Sequence, residues 1–163
     1  MRKIRTLSTF AVAATLVLSA CSGTDNTDEP KGKAGWTVLH YSMADTDLEP
    51  FMVADVNELG DVSAHDKLKI REFMDRSAGY GEDELLDQGD WVGARVLDIS
   101  GGKSELVEEL GDVNSADPDT LANFIAQGIT DLPSPNVALV ISDHGASWPG
   151  MGPDEGSDND VMD

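Results

Sequence analysis

NVALVISDHGASWPGMG, residues 136–152, is the stretch that decides the fold. It opens on five apolar residues, Val137 to Ile141, rich in β-branched side chains. Such a run reads as a strand buried on both faces, as in a parallel sheet. It stops at Ser142-Asp143-His144-Gly145. A polar cluster at the carboxyl end of a buried strand lies where open α/β sheets place their ligands. Gly145, Gly150 and Gly152 permit tight turns there. A lone histidine is more often a plain surface residue, and an aspartate before it more often forms the turn. The strand-end position makes His144 a candidate general base, since imidazole titrates near pH 6.5.

Upstream, Asp117-Pro118-Asp119 marks a helix start, with a cap, a proline at the first helical position and an acid at the positive dipole end. Leu121, Phe124, Ile125 and Ile129 form its apolar stripe, which predicts a helix over 118–130 ended by Leu132-Pro133. Nearer the N-terminus, Trp36 to Tyr41 reads as a first strand. Asp47 is a plausible N-cap for a helix over 48–59, with Pro50 in the first turn and Leu48, Met52, Val56 and Leu59 at helical spacing. Gly60 reads as its stop. Lys67 to Met74 reads as a second strand, with Leu68 and Ile70 on one face, followed by Asp75-Arg76. Ser77 to Asp90 reads as a polar loop with a helical turn around 82–86. Trp91 to Ile99 reads as a third strand or an edge hairpin, and Lys103 to Leu110 as a short helix closed by Gly111.

Strands alternating with helices imply an α/β fold, with parallel strands joined by right-handed crossovers. Strands 36–41, 67–74 and 137–142 are expected as parallel neighbours, with 36–41 internal. After Gly152 the chain reads PDEGSDNDVMD, an acidic irregular tail over 153–163 that does not match the EF-hand pattern.

The chain has 163 residues, 31 acidic and 11 basic, with a formal charge of −20. That charge argues against nucleic acid and anionic membrane surfaces as electrostatic partners. The single cysteine, Cys21, excludes an internal disulfide and a cysteine-based zinc site. His40, His65 and His144 have no zinc-motif spacing, so no zinc site is expected.

Residues 1–20 read as a targeting segment. Arg2, Lys3 and Arg5 precede an apolar stretch that ends in Leu18-Ser19-Ala20-Cys21. This resembles the bacterial lipoprotein lipobox, whose cysteine is lipidated. Residues 21–35 read as a flexible tether and 36–152 as the α/β domain. The expected location is extracytoplasmic, in the cell envelope, anchored to a membrane through lipid on Cys21.

Three segments together resemble the clostripain family of cysteine peptidases: WTVLHYSMADTDLEPFMVADVNEL (36–59), Phe73-Met74-Asp75-Arg76, and ADPDTLANFIAQGITDLPSPNVALVISDHGASWPG (116–150). They occur in the family's order. The resemblance implies a caspase-like α/β sandwich, a mostly parallel sheet flanked by helices. It implies peptide or protein substrates, catalysis by His144, and an oxyanion contact from the Gly145 backbone N–H. Asp143, Trp148, Asp45 and Asp75 are the candidates for the substrate cleft. Calcium enters as a possible cofactor through the same resemblance. A cysteine peptidase also needs a thiolate, which in this family follows the next buried strand. The chain supplies none after His144, and Cys21 lies in the tether. The expectation is therefore the histidine-bearing N-terminal part of such an endopeptidase, truncated after the strand that carries His144. The alternative is a non-catalytic membrane-anchored lipoprotein that uses the same cleft for binding.

Overall fold

Strand β1 (Trp36–Ala44) lies inside a five-stranded sheet in the computed structural model, which describes residues 35–163 apart from 146 and 149. The chain continues through α1 (Glu49–Val62), β2 (Leu68–Arg76), β3 (Gly93–Ser100), β4 (Lys103–Gly111), α2 (Pro118–Asp131) and β5 (Val137–Ser142). A short hairpin, β6 (Met151–Asp154) and β7 (Asp160–Met162), completes it. The sheet order is β4-β3-β2-β1-β5. β1 pairs in parallel with both β2 and β5, while β3 runs antiparallel to β2 and β4. Four strands therefore point one way and β3 alone opposes them. The expected mixed α/β architecture is present, with β1 internal and the three predicted strands parallel.

Alternation along β1 sends successive side chains to opposite faces. Leu39, Tyr41 and Met43 join Phe73, Val96 and Phe124 in the core beneath α2. Ala44 joins Ile70, Met74, Met52, Val53 and Val56 beneath α1. Tyr41 stacks on Phe73 with ring centres 4.2 Å apart, and Phe124 closes the cluster. α2 packs tightly on β1, because a Cβ on Gly128 would lie 2.5 Å from Leu39 Cδ2.

Charged residues also hold the sheet. His40 Nδ1 lies 2.6 Å from Glu72 Oε2, and its Nε2 lies 2.8 Å from Ser142 Oγ. Ser42 Oγ donates to Glu72 Oε1. This network crosses β2, β1 and β5. Burial raises the Glu72 pKa. Burial also pulls the His40 imidazole down, but its hydrogen bond to Glu72 and the carboxylate charge outweigh that and raise it. Arg76 is fully buried; its Nε donates to Glu49 Oε1 at 2.6 Å, and its Nη1 lies 3.0 Å from Asp90. These pairings carry β2 past Met74 to Arg76.

Several elements depart from expectation. Val137, Leu139 and Val140 are 42–44% exposed, so β5 is an edge strand and not one buried on both faces. Residues 103–111 form β4 and not a helix, because Gly101 and Gly102, both at positive φ, turn the chain back onto β3. Residues 82–86 form no helical turn. The stretch read as an irregular tail folds into the β6–β7 hairpin, turned at Asp158 and Asn159, both at positive φ. α1 starts at Glu49 with Leu48 at the cap position and no capping side chain, so Asp47 is not the cap. The helix also runs through Gly60 to Val62. The targeting segment, Cys21 and nearly all of the tether lie outside the described residues.

Candidate active site

Because β1 and β5 are parallel and Ser42 pairs with Ser142, the loops that follow them leave the same edge of the sheet. There the structure brings together two residues 97 positions apart: His144 Nε2 lies 2.8 Å from Asp47 Oδ1. A carboxylate only accepts, so in the neutral imidazole Nε2 carries the proton and Nδ1 holds the lone pair. Both side chains are accessible, 45% for His144 and 63% for Asp47. A base with a free lone pair, oriented by a carboxylate and open to solvent, is the arrangement nucleophilic catalysis requires of its general base.

The neighbouring residues shape the loop. Asp143 Oδ1 accepts the His144 backbone N–H at 2.5 Å, which makes Asp143 a turn-former. Its other oxygen is buried without a hydrogen-bond partner, and burial raises its pKa to about 6. Gly145 lies in an isolated antiparallel bridge with Met151, and the His144 carbonyl accepts from Gly152 N at 3.3 Å. Among the described residues a Cβ at Gly145 would meet nothing within 4 Å, so packing against them does not demand a glycine there. Gly150 and Gly152, by contrast, sit at positive φ as the turn reading expected. Trp148 is 97% exposed.

Asp45 and Asp75 line a cavity of about 460 Å³ with Asp112, Glu155 and Gly156; Asp143, His144 and Trp148 are not among its lining residues. The β6–β7 hairpin covers this end of the sheet. Glu155 N donates to the Asp45 carbonyl, Gly156 N donates to Asp45 Oδ2, and Tyr80 donates to Glu155. Asp154 is buried and accepts from both the backbone N and the hydroxyl of Ser115. Asp75 is 3% exposed, with Oδ2 unpartnered. Burial, then the charges of Asp154, Asp45 and Asp112, raise its pKa to about 8. Among the described residues no group of three or more His, Cys, Asp or Glu side chains stands where it could hold a metal ion.

The chain superposes on a cysteine protease of B. fragilis with a TM-score of 0.57 at 21% identity, over 70% of this chain and 92% of that one. It superposes on a clostripain from Bacteroides thetaiotaomicron, solved with a peptide inhibitor, with a TM-score of 0.56 at 17% identity, over 71% and 95%. The fold is that of C11 cysteine proteases. A secreted C11 cysteine protease of the same organism, bound to an irreversible peptide inhibitor, gives a TM-score of 0.60 at 20% identity, over 79% of this chain and 36% of that longer one. No family model matches the sequence, and no curated protein does.

Sequence reading found His144, Asp143 and Gly145 in one loop. It did not find the Asp47–His144 pair, for which a shared sheet edge was the only available signal. Asp112, Asp154 and Glu155 were also missed, since they gather from the end of β4 and from a hairpin that was not foreseen.

Proposed function

We propose that this chain is the histidine-bearing part of a clostripain-type cysteine endopeptidase. The observation that carries the reading is the Asp47-oriented His144 at the carboxyl end of β5, within a fold shared with C11 cysteine proteases. The nucleophilic cysteine enters on a further segment that pairs with the free edge of β5, where Val137, Leu139 and Val140 stand exposed. His144 Nδ1 takes the thiol proton, and sulfur adds to the scissile carbonyl carbon. The oxyanion is held by the Gly145 N–H, a contact of a kind whose loss costs about 10²–10³ in kcat. The imidazolium then returns its proton to the leaving amine, and water hydrolyses the thioester. Lipid on Cys21 tethers the domain to a membrane on the extracytoplasmic side. Among the described residues no helix is long and apolar enough to cross one.

A second reading is a membrane-anchored binding lipoprotein without catalysis. One observation favours it: Cys21 is the only cysteine and lies in the tether. Expressing the reading frame continued past residue 163 and assaying it on a peptide library separates the two. Activity blocked by a thiol-directed inhibitor supports the peptidase, and silence supports the binding protein.

A further inference from the structure

We propose that Ser142 is a second nucleophile, activated by a Ser142–His40–Glu72 triad, that takes acyl groups from small uncharged esters. Such a triad is recognised by geometry and roles, not by sequence position. Ser142 Oγ lies 2.8 Å from His40 Nε2, and His40 Nδ1 lies 2.6 Å from Glu72 Oε2. Both distances fall within the reach required of a nucleophile, its base and the group that orients the base. A carboxylate only accepts, so in the neutral imidazole Nδ1 carries the proton and the Nε2 lone pair accepts the Ser142 hydroxyl. Ser42 Oγ donates to the other Glu72 oxygen at 2.6 Å and so fixes the carboxylate beside the ring.

Three strands supply the three groups, and their register puts them on one face. His40 pairs with Glu72 on β2 and with Val140 on β5, and Ser142 stands two residues beyond Val140. Exposure rises along the row: Glu72 is fully buried, His40 is 7% exposed and Ser142 is half-buried. Base and acid are thus kept from water while the hydroxyl reaches it. α1 leaves this corner open. The apolar cluster beneath α1 takes in Val38 of β1 but no residue of β5. Val140, on the same face as Ser142, is 44% exposed, and with Ala138 it forms an apolar shelf for a short acyl chain. The formal charge of −20 and the Asp55 carboxylate, whose field reaches His40, disfavour anionic esters.

Ser142 Oγ adds to the ester carbonyl carbon as its proton passes to His40 Nε2. The ester C–O bond then breaks, and the imidazolium returns that proton to the departing alkoxide. Water, deprotonated by the same nitrogen, attacks the acyl-serine and releases the acid. One ester and one water give one acid and one alcohol. The groups facing His40 are Glu72 from β2, Asp55 from α1, and the hydroxyls of Ser42 and Ser142. Burial pulls the imidazole pKa down, but Glu72 and Asp55 outweigh it and raise it above 6.5. An imidazolium has no lone pair for the serine proton, so reactivity rises with pH and levels off above that pKa.

The test is covalent labelling of the whole chain with a fluorophosphonate probe, read by intact mass and peptide mapping, beside hydrolysis of p-nitrophenyl acetate. One adduct per chain is expected, on Ser142, at a rate that rises with pH through a midpoint above 6.5. Ser142→Ala is expected to abolish the adduct and the ester hydrolysis. His40→Gln, with its fold checked by circular dichroism, is expected to slow labelling by about a hundredfold or more. Should His40→Gln fail to fold, the mapped adduct, its pH profile and the half-buried Ser142→Ala still decide the matter. The site does not depend on the peptidase reading, since all three groups lie within this chain. No adduct at millimolar probe, adducts spread over other hydroxyls, a pH-independent rate, or an undiminished rate in folded His40→Gln would each overturn the proposal and leave the network a staple between strands.

Discussion

Asp47 and His144 meet at 2.8 Å across the β1 and β5 loops, although 97 residues separate them. The contact fixes one imidazole tautomer, with the proton on Nε2. Exposed ion pairs of this kind contribute about 0–1 kcal/mol to stability. Asp47→Asn is therefore expected to leave the thermal midpoint nearly unchanged. It is also expected to move the His144 tautomer equilibrium, read from imidazole ¹⁵N shifts in the chain itself. A large loss of stability with an unmoved tautomer would mean that Asp47 is only structural.

Arg76 bridges β2 to α1 through Glu49, with both side chains fully buried. Removing one partner of such a pair leaves an uncompensated buried charge and costs about 3–5 kcal/mol. Arg76→Ala is expected to lower the urea unfolding free energy by that order. A loss below about 1 kcal/mol would show that water reaches the pair, as at an exposed site.

The pH dependence of stability follows from Asp75. Its folded pKa, about 8, lies above the ordinary carboxyl value of 3.8. The folded chain holds this proton where the unfolded chain has released it. Stability from this group is full below pH 3.8 and falls as pH rises toward about 8. The slope is at most about 1.4 kcal/mol per pH unit. Asp143, raised to about 6, acts in the same sense over a narrower window. Asp75→Asn is expected to flatten the slope between about pH 5 and pH 8 in urea titrations. An unchanged slope would remove Asp75 from the account.

Much of this fold was legible because local signals agreed with tertiary placement. Asp117-Pro118-Asp119 started α2 as read, with the Asp117 side chain accepting from Asp119 N. β1, β2 and β5 followed from their apolar runs. β4 was misread because KSELVEEL holds strong helix formers and apolar residues at near-helical spacing, yet Gly101-Gly102 sets a hairpin that outweighs propensity. The Asp158-Asn159 turn did carry a signal, since these residue types tolerate positive φ, but the flanking strands are too short and acidic to register. Asp47 was assigned to the cap because a local partner is all that local sequence offers. The exposure of β5 had no local signature, because Val137 to Ile141 is equally apolar whether one neighbour or two lie beside it.

Lipid attachment is tested by Cys21→Ala. The unaltered chain is expected to partition into the detergent phase and to be processed at residue 21. The variant is expected to lose both properties. Unchanged partitioning and processing would rule out a lipid on Cys21.

The most direct measurement is peptide hydrolysis by the reading frame continued past residue 163, assayed beside the 163-residue chain on a fluorogenic peptide library. The account predicts no turnover by the short chain and thiol-inhibitable turnover by the longer one. It predicts that His144→Ala reduces that turnover by about a thousandfold or more. Turnover by either polypeptide that survives His144→Ala would contradict the assignment of His144 as the catalytic base.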